Sequence, residues 1–134
     1  MTRRIPIAGS VSASQEGYEI LLGSRRQTRP PSWLLQAKVV EIQWNFPQGL
    51  QGICSSVDAI VHLAGMNAQE CATDPVAALE VNAVATASLI QATIRQKVKR
   101  FIYLSTVHVY GSPLTGVITE ETKPTPAHPY AYSH

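Results

Sequence analysis

Cysteine is scarce in this sequence, and the spacing of its cysteines argues against a disulfide framework and a zinc site. Only Cys54 and Cys71 are present, they form no Cys-x-x-Cys pair, and the four histidines stand at no ligand spacing to them. A disulfide framework and a zinc site both need closer and more numerous ligands. We therefore expect no metal site and two reduced thiols, as in cytosolic proteins.

Charge of one sign and long apolar runs are also lacking. The formal net charge of the 134 residues is +2, and only Arg25, Arg26 and Arg29 form a basic concentration, which does not favour nucleic-acid binding. No apolar stretch approaches the ~20 residues of a membrane span, and none near the N-terminus fits a signal peptide. The expectation is one cytoplasmic domain without nucleic-acid or membrane partners.

What the sequence does contain is a series of short apolar segments bounded by Gly, Pro, Ser or Asn. These predict strands over residues 4–8, 18–22, 39–44, 58–64 and 101–104. Asp74-Pro75 predicts the start of a long helix that reaches about residue 98. Its sheet-facing positions are predicted to be Leu79, Ala83, Thr86, Ile90 and Ile94. This order predicts an α/β fold, a Rossmann-like parallel sheet whose ligands bind at the carboxyl ends of the strands.

The segment between the first two strands is the weakest part of that pattern. Gly9 and Ser10 stand where a glycine-rich turn would approach a pyrophosphate, but Ser12 and Gln15 occupy the positions of the other glycines. An ordinary turn fits equally well. Residues 9–17 are also too few for a full crossover helix.

Other candidate cofactor residues follow the later strands or lie on the helix. Arg25 and Arg26 follow the second strand, where an arginine pairs with a 2′-phosphate and favours NADP(H), although a solvated basic turn is an equal alternative. The small residues of Leu63-Ala64-Gly65 permit close ligand approach. Asn82 is a buried helical amide with a structural or a cofactor role. His62 is predicted to be a core histidine.

A hydroxyl, a phenol and a basic group can form a proton-transfer unit. Thr106 follows the fifth strand, and Tyr130 precedes His134 by one helical turn. From the residues alone this set is not distinguished from Tyr103, Tyr110 or Tyr132.

Four consecutive blocks of sequence resemble the NAD-dependent epimerase/dehydratase family, and this resemblance selects Tyr130 among the tyrosines. They are VDAIVHLAG (57–65), DPVAALEVNAVATASLIQAT (74–93), VKRFIYLSTVHVYG (98–111) and ITEETKPTPAHPYAYSH (118–134). The resemblance implies a Rossmann domain that binds NAD or NADP and a nucleotide-sugar substrate. It assigns the Ser/Thr position to Thr106, the acid/base to Tyr130, and cofactor contacts to Leu63, Ala64, Gly65 and Asn82.

The chain departs from the family pattern at several of these positions. His134 replaces the lysine of the Tyr-x-x-x-Lys motif, and Gln43 stands where an aspartate commonly holds the adenine. Val107-His108 replaces the Asp-Glu pair of the dehydratases, which leaves epimerase or reductase chemistry. The first crossover helix is predicted to be missing, so that strands one and two could not be joined in the usual right-handed parallel way.

Three interpretations follow. Residues 1–134 form a partial NAD(P)-binding domain of a nucleotide-sugar epimerase or reductase, without the C-terminal substrate domain; or the chain is a non-catalytic Rossmann-scaffold binding module. The third interpretation is a truncated gene product that dimerises or aggregates through partly exposed apolar surface.

Overall fold

The computed structural model describes residues 18–134 together with the backbone of residues 3–6. The chain divides into two compact units. The first comprises the described residues up to Leu63 together with Ala87–Leu104, and the second comprises Ala64–Thr86 together with Ser105–His134.

The first unit is built on parallel strands. Strands β1 (Arg3–Pro6), β2 (Tyr18–Ser24) and β3 (Lys38–Glu41) form one parallel ladder, and β4 (Ala59–His62) pairs in parallel with β5 (Arg100–Tyr103). Because β1 also lies beside β4, the spatial order is β3-β2-β1-β4-β5. This is the strand order of the first five strands of a doubly wound dinucleotide-binding sheet. The predicted α/β parallel architecture is confirmed.

The expectation that strands one and two could not be joined in the usual right-handed parallel way is wrong in the direction of the strands. In the structure Ile5 lies opposite Ile20 in a parallel register. Gly9, Ser10 and the predicted absence of the first crossover helix lie outside the described residues.

Two clusters of buried side chains form the core of the first unit. The larger joins strand residues such as Leu21 and Ile60 to Leu50 and Cys54 of helix α1 (Pro47–Cys54). The smaller contains Ile20, with Leu34 from a short 3-10 turn. Helix α1 was not predicted, because its Gln- and Gly-rich sequence lacks a strong apolar period.

The second unit contains short helices and the first half of a long one. Helix α2 (Ala68–Thr73) begins with an Asn67–Glu70 capping box, and helix α3 (Pro75–Arg95) begins with the side chain of Asp74 accepting the Ala77 N–H. Within α3, Leu79–Val84 forms a π-helical turn. A 3-10 turn (Val107–Tyr110) and helix α4 (Pro129–Ser133) complete the unit.

The prediction of the buried face of α3 is correct at Thr86 and wrong at its bulky positions. Leu79, Ile90 and Ile94 are 48%, 37% and 69% exposed, whereas the buried positions are held mainly by small or polar residues. Those are Ala78, Asn82, Ala85, Thr86, Leu89, Ala92 and Thr93. Small side chains let a helix backbone approach its neighbours closely, so bulk alone did not identify the packed face.

Candidate active site

Asn82 is the central polar residue of the second unit. It is 2% exposed, its Oδ1 accepts the Met66 N–H at 2.7 Å, and its Nδ2 donates to Ser133 Oγ at 2.8 Å. Buried amides need such partners, and here they come from two segments remote in sequence. Asn82 therefore joins the loop that follows β4 to helix α4.

The π-helical turn sets the position of Asn82. In this wider turn the hydrogen bond skips one more residue than in an α-helix, and such turns are frequent at functional sites. Thr86 Oγ1 donates to the Asn82 carbonyl at 2.6 Å. A side-chain hydroxyl thus supplies a donor to a carbonyl inside the irregular turn.

Gly65, in the loop that follows β4, lies against the side chains of Asn82 and His134. A Cβ added to Gly65 would lie 3.0 Å from Asn82 Oδ1 and 3.4 Å from His134 Nε2. The first distance is tighter than ordinary van der Waals contact, and Asn82 Oδ1 is held by its bond to Met66. Glycine is therefore required here for close approach.

Tyr130 and His134 lie in direct contact, one helical turn apart. Their ring centroids are 4.4 Å apart, and His134 Nδ1 lies 2.9 Å from the Tyr130 carbonyl oxygen. Because a carbonyl oxygen only accepts, Nδ1 must carry the proton and donate. The other ring nitrogen, Nε2, lies on the side of Gly65.

Thr106 lies in the same unit and is connected to Tyr130 through His108. Thr106 Oγ1 accepts the His108 N–H at 3.3 Å. The His108 ring meets the Tyr130 ring edge-on, with centroids 6.1 Å apart, and the His128 ring at 5.3 Å. The structure thus brings a hydroxyl, a phenol and imidazoles into one cluster.

Three predicted cofactor residues lie in the first unit and so are not part of this cluster. Arg25 is exposed directly after β2, Gln43 is exposed two residues beyond β3, and Leu63 packs on the smaller core cluster. At the same strand ends, Ser24 Oγ accepts the Arg26 N–H at 3.3 Å.

His62 is a core histidine, as predicted. It is 4% exposed, and its ring contacts those of Trp44, Phe101 and Tyr103. Burial lowers the pKa of His62, so the imidazole is held in its neutral form. Within the described part of the chain, no three His, Cys, Asp or Glu side chains are grouped to hold a metal ion.

Sequence reasoning missed two contributors to this site. Ser133 was not singled out, although it stands one residue before His134, and its hydroxyl is the partner of Asn82. His108 was noted only as a departure from the dehydratases, and its ring contacts became visible only in the structure. A histidine beside a candidate hydroxyl was the available signal for the second.

The sequence model of the NAD dependent epimerase/dehydratase family matches residues 10–134. The chain belongs to this family. Among curated relatives, UDP-glucose 4-epimerase 4 of Oryza sativa subsp. japonica is 35% identical over 85 residues, 61% of this chain and 23% of the relative.

Solved structures agree on the fold. The UDP-Glc/GlcNAc 4-epimerase of Campylobacter jejuni matches 98% of this chain with a TM-score of 0.79 and 26% identity, over 45% of its own length. A UDP-glucose 4-epimerase of Bifidobacterium longum, solved in complex with NAD+ and UDP, matches 99% with a TM-score of 0.79 and 21% identity, over 45% of its length. The chain therefore spans less than half the length of these structures and about a quarter of the curated relative.

Proposed function

We propose that this chain is the cofactor-binding portion of a nucleotide-sugar epimerase or reductase that uses NAD or NADP. The observation that carries the proposal is the contact set of Gly65, Asn82, Tyr130 and His134 in a chain of this family. It combines a glycine backbone free of side-chain bulk with an acid/base pair in the same unit.

The nicotinamide, when bound, supplies hydride acceptance and donation. Leu63, Ala64, Gly65 and Asn82 would hold it, and Ala64 and Gly65 are exposed as such contact requires. Gly9, Ser10, Arg25 and Gln43 are the proposed contacts with the remainder of the dinucleotide.

The acid/base role falls to Tyr130. Its phenol would remove the proton of a sugar hydroxyl as that carbon is oxidised and return it on reduction, while the Thr106 hydroxyl orients the same oxygen. His134 differs from a lysine at this position, because its Nδ1–H is already donated to the Tyr130 carbonyl. An imidazole carries two ring nitrogens, whereas an ammonium group offers three donors.

We propose that the chain binds NADP(H) more tightly than NAD(H). Arg25 and Arg26 are both exposed at the carboxyl end of β2, and no acidic residue intervenes to bond a ribose 2′-OH. Isothermal titration of the full chain with NADP+ and NAD+ tests this. Tighter NADP+ binding that falls to the NAD+ level in Arg25→Ala/Arg26→Ala supports it, and equal affinities for the unmodified chain contradict it.

We also propose a cytoplasmic protein that forms a homodimer. Helix α3 leaves Val76, Val84 and Ile94 more than half exposed, which provides apolar surface for a second copy. The same helix, of 21 residues, is long and apolar enough to cross a membrane, but the core helices of soluble proteins have such lengths and compositions as well. Light scattering across a concentration series measures the oligomer.

Binding and turnover separate the proposed enzyme from its alternative. Saturable binding of NAD(H) or NADP(H) in the micromolar range by the 134-residue chain supports the proposal. In a preparation of this protein that turns over UDP-glucose, Tyr130→Phe should abolish the turnover and retain cofactor binding. Tyr132→Phe is the matched control, because Tyr132 is on the same helix and 63% exposed.

The alternative is a non-catalytic Rossmann-scaffold binding module. The observation that favours it is the replacement of lysine by His134, with one of its two ring nitrogens occupied by the chain itself. The absence of any thermal shift or heat of binding with all four nicotinamide cofactors would support this alternative and contradict the enzyme.

A further inference from the structure

The segment that follows β2 carries three arginines, of which only two have a role in the function proposed above. Residues 25–29 (Arg-Arg-Gln-Thr-Arg) are exposed without interruption, and their backbone forms a bend and irregular coil rather than a helix or a strand. No Asp or Glu stands in the sequence between Glu19 and Glu41. The segment is therefore a concentration of positive charge that is open to a second protein.

Thr28 carries the one hydroxyl group of residues 25–29. Arg25 and Arg26 stand three and two residues before it, and Arg29 follows it. Because neighbouring Cα atoms are about 3.8 Å apart, the Cα atom of Thr28 lies within about 7.6 Å of that of Arg26. The hydroxyl is thus exposed on irregular backbone and close to guanidinium groups on its N-terminal side.

The flanking serines lack this combination. Ser24 ends β2, and its Oγ accepts the Arg26 N–H at 3.3 Å. Ser32 begins a 3-10 turn directly after Pro31, so its backbone is already fixed. An acceptor hydroxyl must reach the γ-phosphate of ATP in line, which favours the open chain around Thr28.

We propose that Thr28 is a phosphorylation site for a protein kinase that recognises arginines two and three residues before its acceptor. Carboxylates of the kinase would pair with the guanidinium groups of Arg25 and Arg26, a geometry that arginine suits. Thr28 Oγ1 forms a bond to the γ-phosphorus of ATP as the bond from that phosphorus to the bridging oxygen breaks. ADP leaves, and the hydroxyl proton passes to a carboxylate of the kinase.

A phosphate on Thr28 would change the cofactor preference of the chain. This step rests on the proposed function, in which Arg25 and Arg26 pair with the 2′-phosphate of NADP(H). Phosphothreonine carries a charge of about −1.5 to −2 and three acceptor oxygens, the same chemistry as that 2′-phosphate. It would occupy the guanidinium groups from within the chain and repel the 2′-phosphate. NAD(H) has a hydroxyl group at that place and makes no such ion pair.

The first test is phosphorylation of the full chain by the catalytic subunit of cyclic-AMP-dependent protein kinase with MgATP. Peptide mass spectrometry should find phosphate on Thr28. The modification should be absent from Thr28→Ala and from Arg25→Ala/Arg26→Ala. Ser32→Ala and Arg29→Ala are the matched controls and should keep it, since one removes the neighbouring hydroxyl and the other an arginine beyond the acceptor.

The second test is calorimetric titration of the phosphorylated chain. NADP+ binding should weaken by about tenfold to a hundredfold, the loss expected when hydrogen bonds to a charged group are removed, and NAD+ binding should be unchanged. Thr28→Ala treated with the same kinase and MgATP should keep the NADP+ affinity of the unmodified chain.

Three outcomes overturn the inference. They are phosphate on another residue with none on Thr28, equal phosphorylation of Arg25→Ala/Arg26→Ala and the unmodified chain, and equal NADP+ affinity before and after phosphorylation. An unmodified chain that binds neither NAD+ nor NADP+ contradicts the proposed function instead. Mass spectrometry then still decides whether Thr28 is the acceptor.

Discussion

Replacing Asn82 by leucine should be the most damaging single change to the second unit. The leucine is similar in size but leaves the Met66 N–H without its acceptor and removes the donor to Ser133 Oγ. A buried polar group left unpaired costs about 1–3 kcal/mol, so two affected groups give a loss of about 2–6 kcal/mol. With an unfolding entropy of about 2.1 cal/mol/K per residue over 134 residues, the melting temperature falls by about 7–21 °C.

Thermal unfolding followed by circular dichroism measures this effect. Gln91→Leu is the control, since it makes the same chemical change at an exposed position of α3 and should shift the midpoint by no more than about 2 °C. Ser133→Ala removes one of the two bonds and should fall between them. If Asn82→Leu melts within about 2 °C of the unmodified chain, Asn82 does not join the β4 loop to α4 as described.

Three further predictions concern single positions. Gly65→Ala should destabilise the fold by about 1–3 kcal/mol, because its Cβ would press on Asn82 Oδ1, and an unchanged denaturation midpoint would refute the close contact. The lowered pKa of His62 means that the unfolded chain takes up a proton more readily. The contribution of His62 to the free energy of unfolding is therefore complete above about pH 6.5 and declines as the pH falls towards the lowered pKa of the folded chain. His62→Gln should lose this part of the pH dependence of the melting temperature. The same pH dependence in the variant and the unmodified chain would contradict the prediction. Burial raises the pKa of Cys54 to about 11, so the native chain should resist thiol reagents at pH 8 and react after unfolding, whereas rapid native labelling of Cys54 would be inconsistent with it.

The replacement of lysine by His134 has a structural consequence for any cofactor. The imidazole is held by the Tyr130 carbonyl and packed on the Tyr130 ring, so its position is determined within the chain itself. A lysine on its flexible stem would reach further from the helix. Cofactor affinity in this chain should therefore depend more on the backbone at Gly65 than on residue 134.

Patterns local to the sequence predicted much of the fold. The apolar run that contains β4 is bounded at Gly65, and the Asp74-Pro75 start of α3 has a capping mechanism that needs no tertiary contact. The observed ends of the strands differ from the predicted ends by up to three residues, since the pairing partner decides where a ladder ends. Helix α1 was missed because its stability comes from burying Leu50 and Cys54 rather than from its own sequence pattern.

The site shows the same division. The order of motifs along the chain was enough to determine the family and the parallel α/β class, because both depend on residue types at short spacing. The same motifs select Tyr130 over the other tyrosines, and this choice stays a prediction. Only the tertiary structure decided that α3 buries Asn82 and exposes Ile94, that His134 donates through Nδ1, and that His108 Nδ1 lies buried. These depend on distances between segments up to 52 positions apart, such as Asn82 and His134, which packing sets and local sequence does not encode.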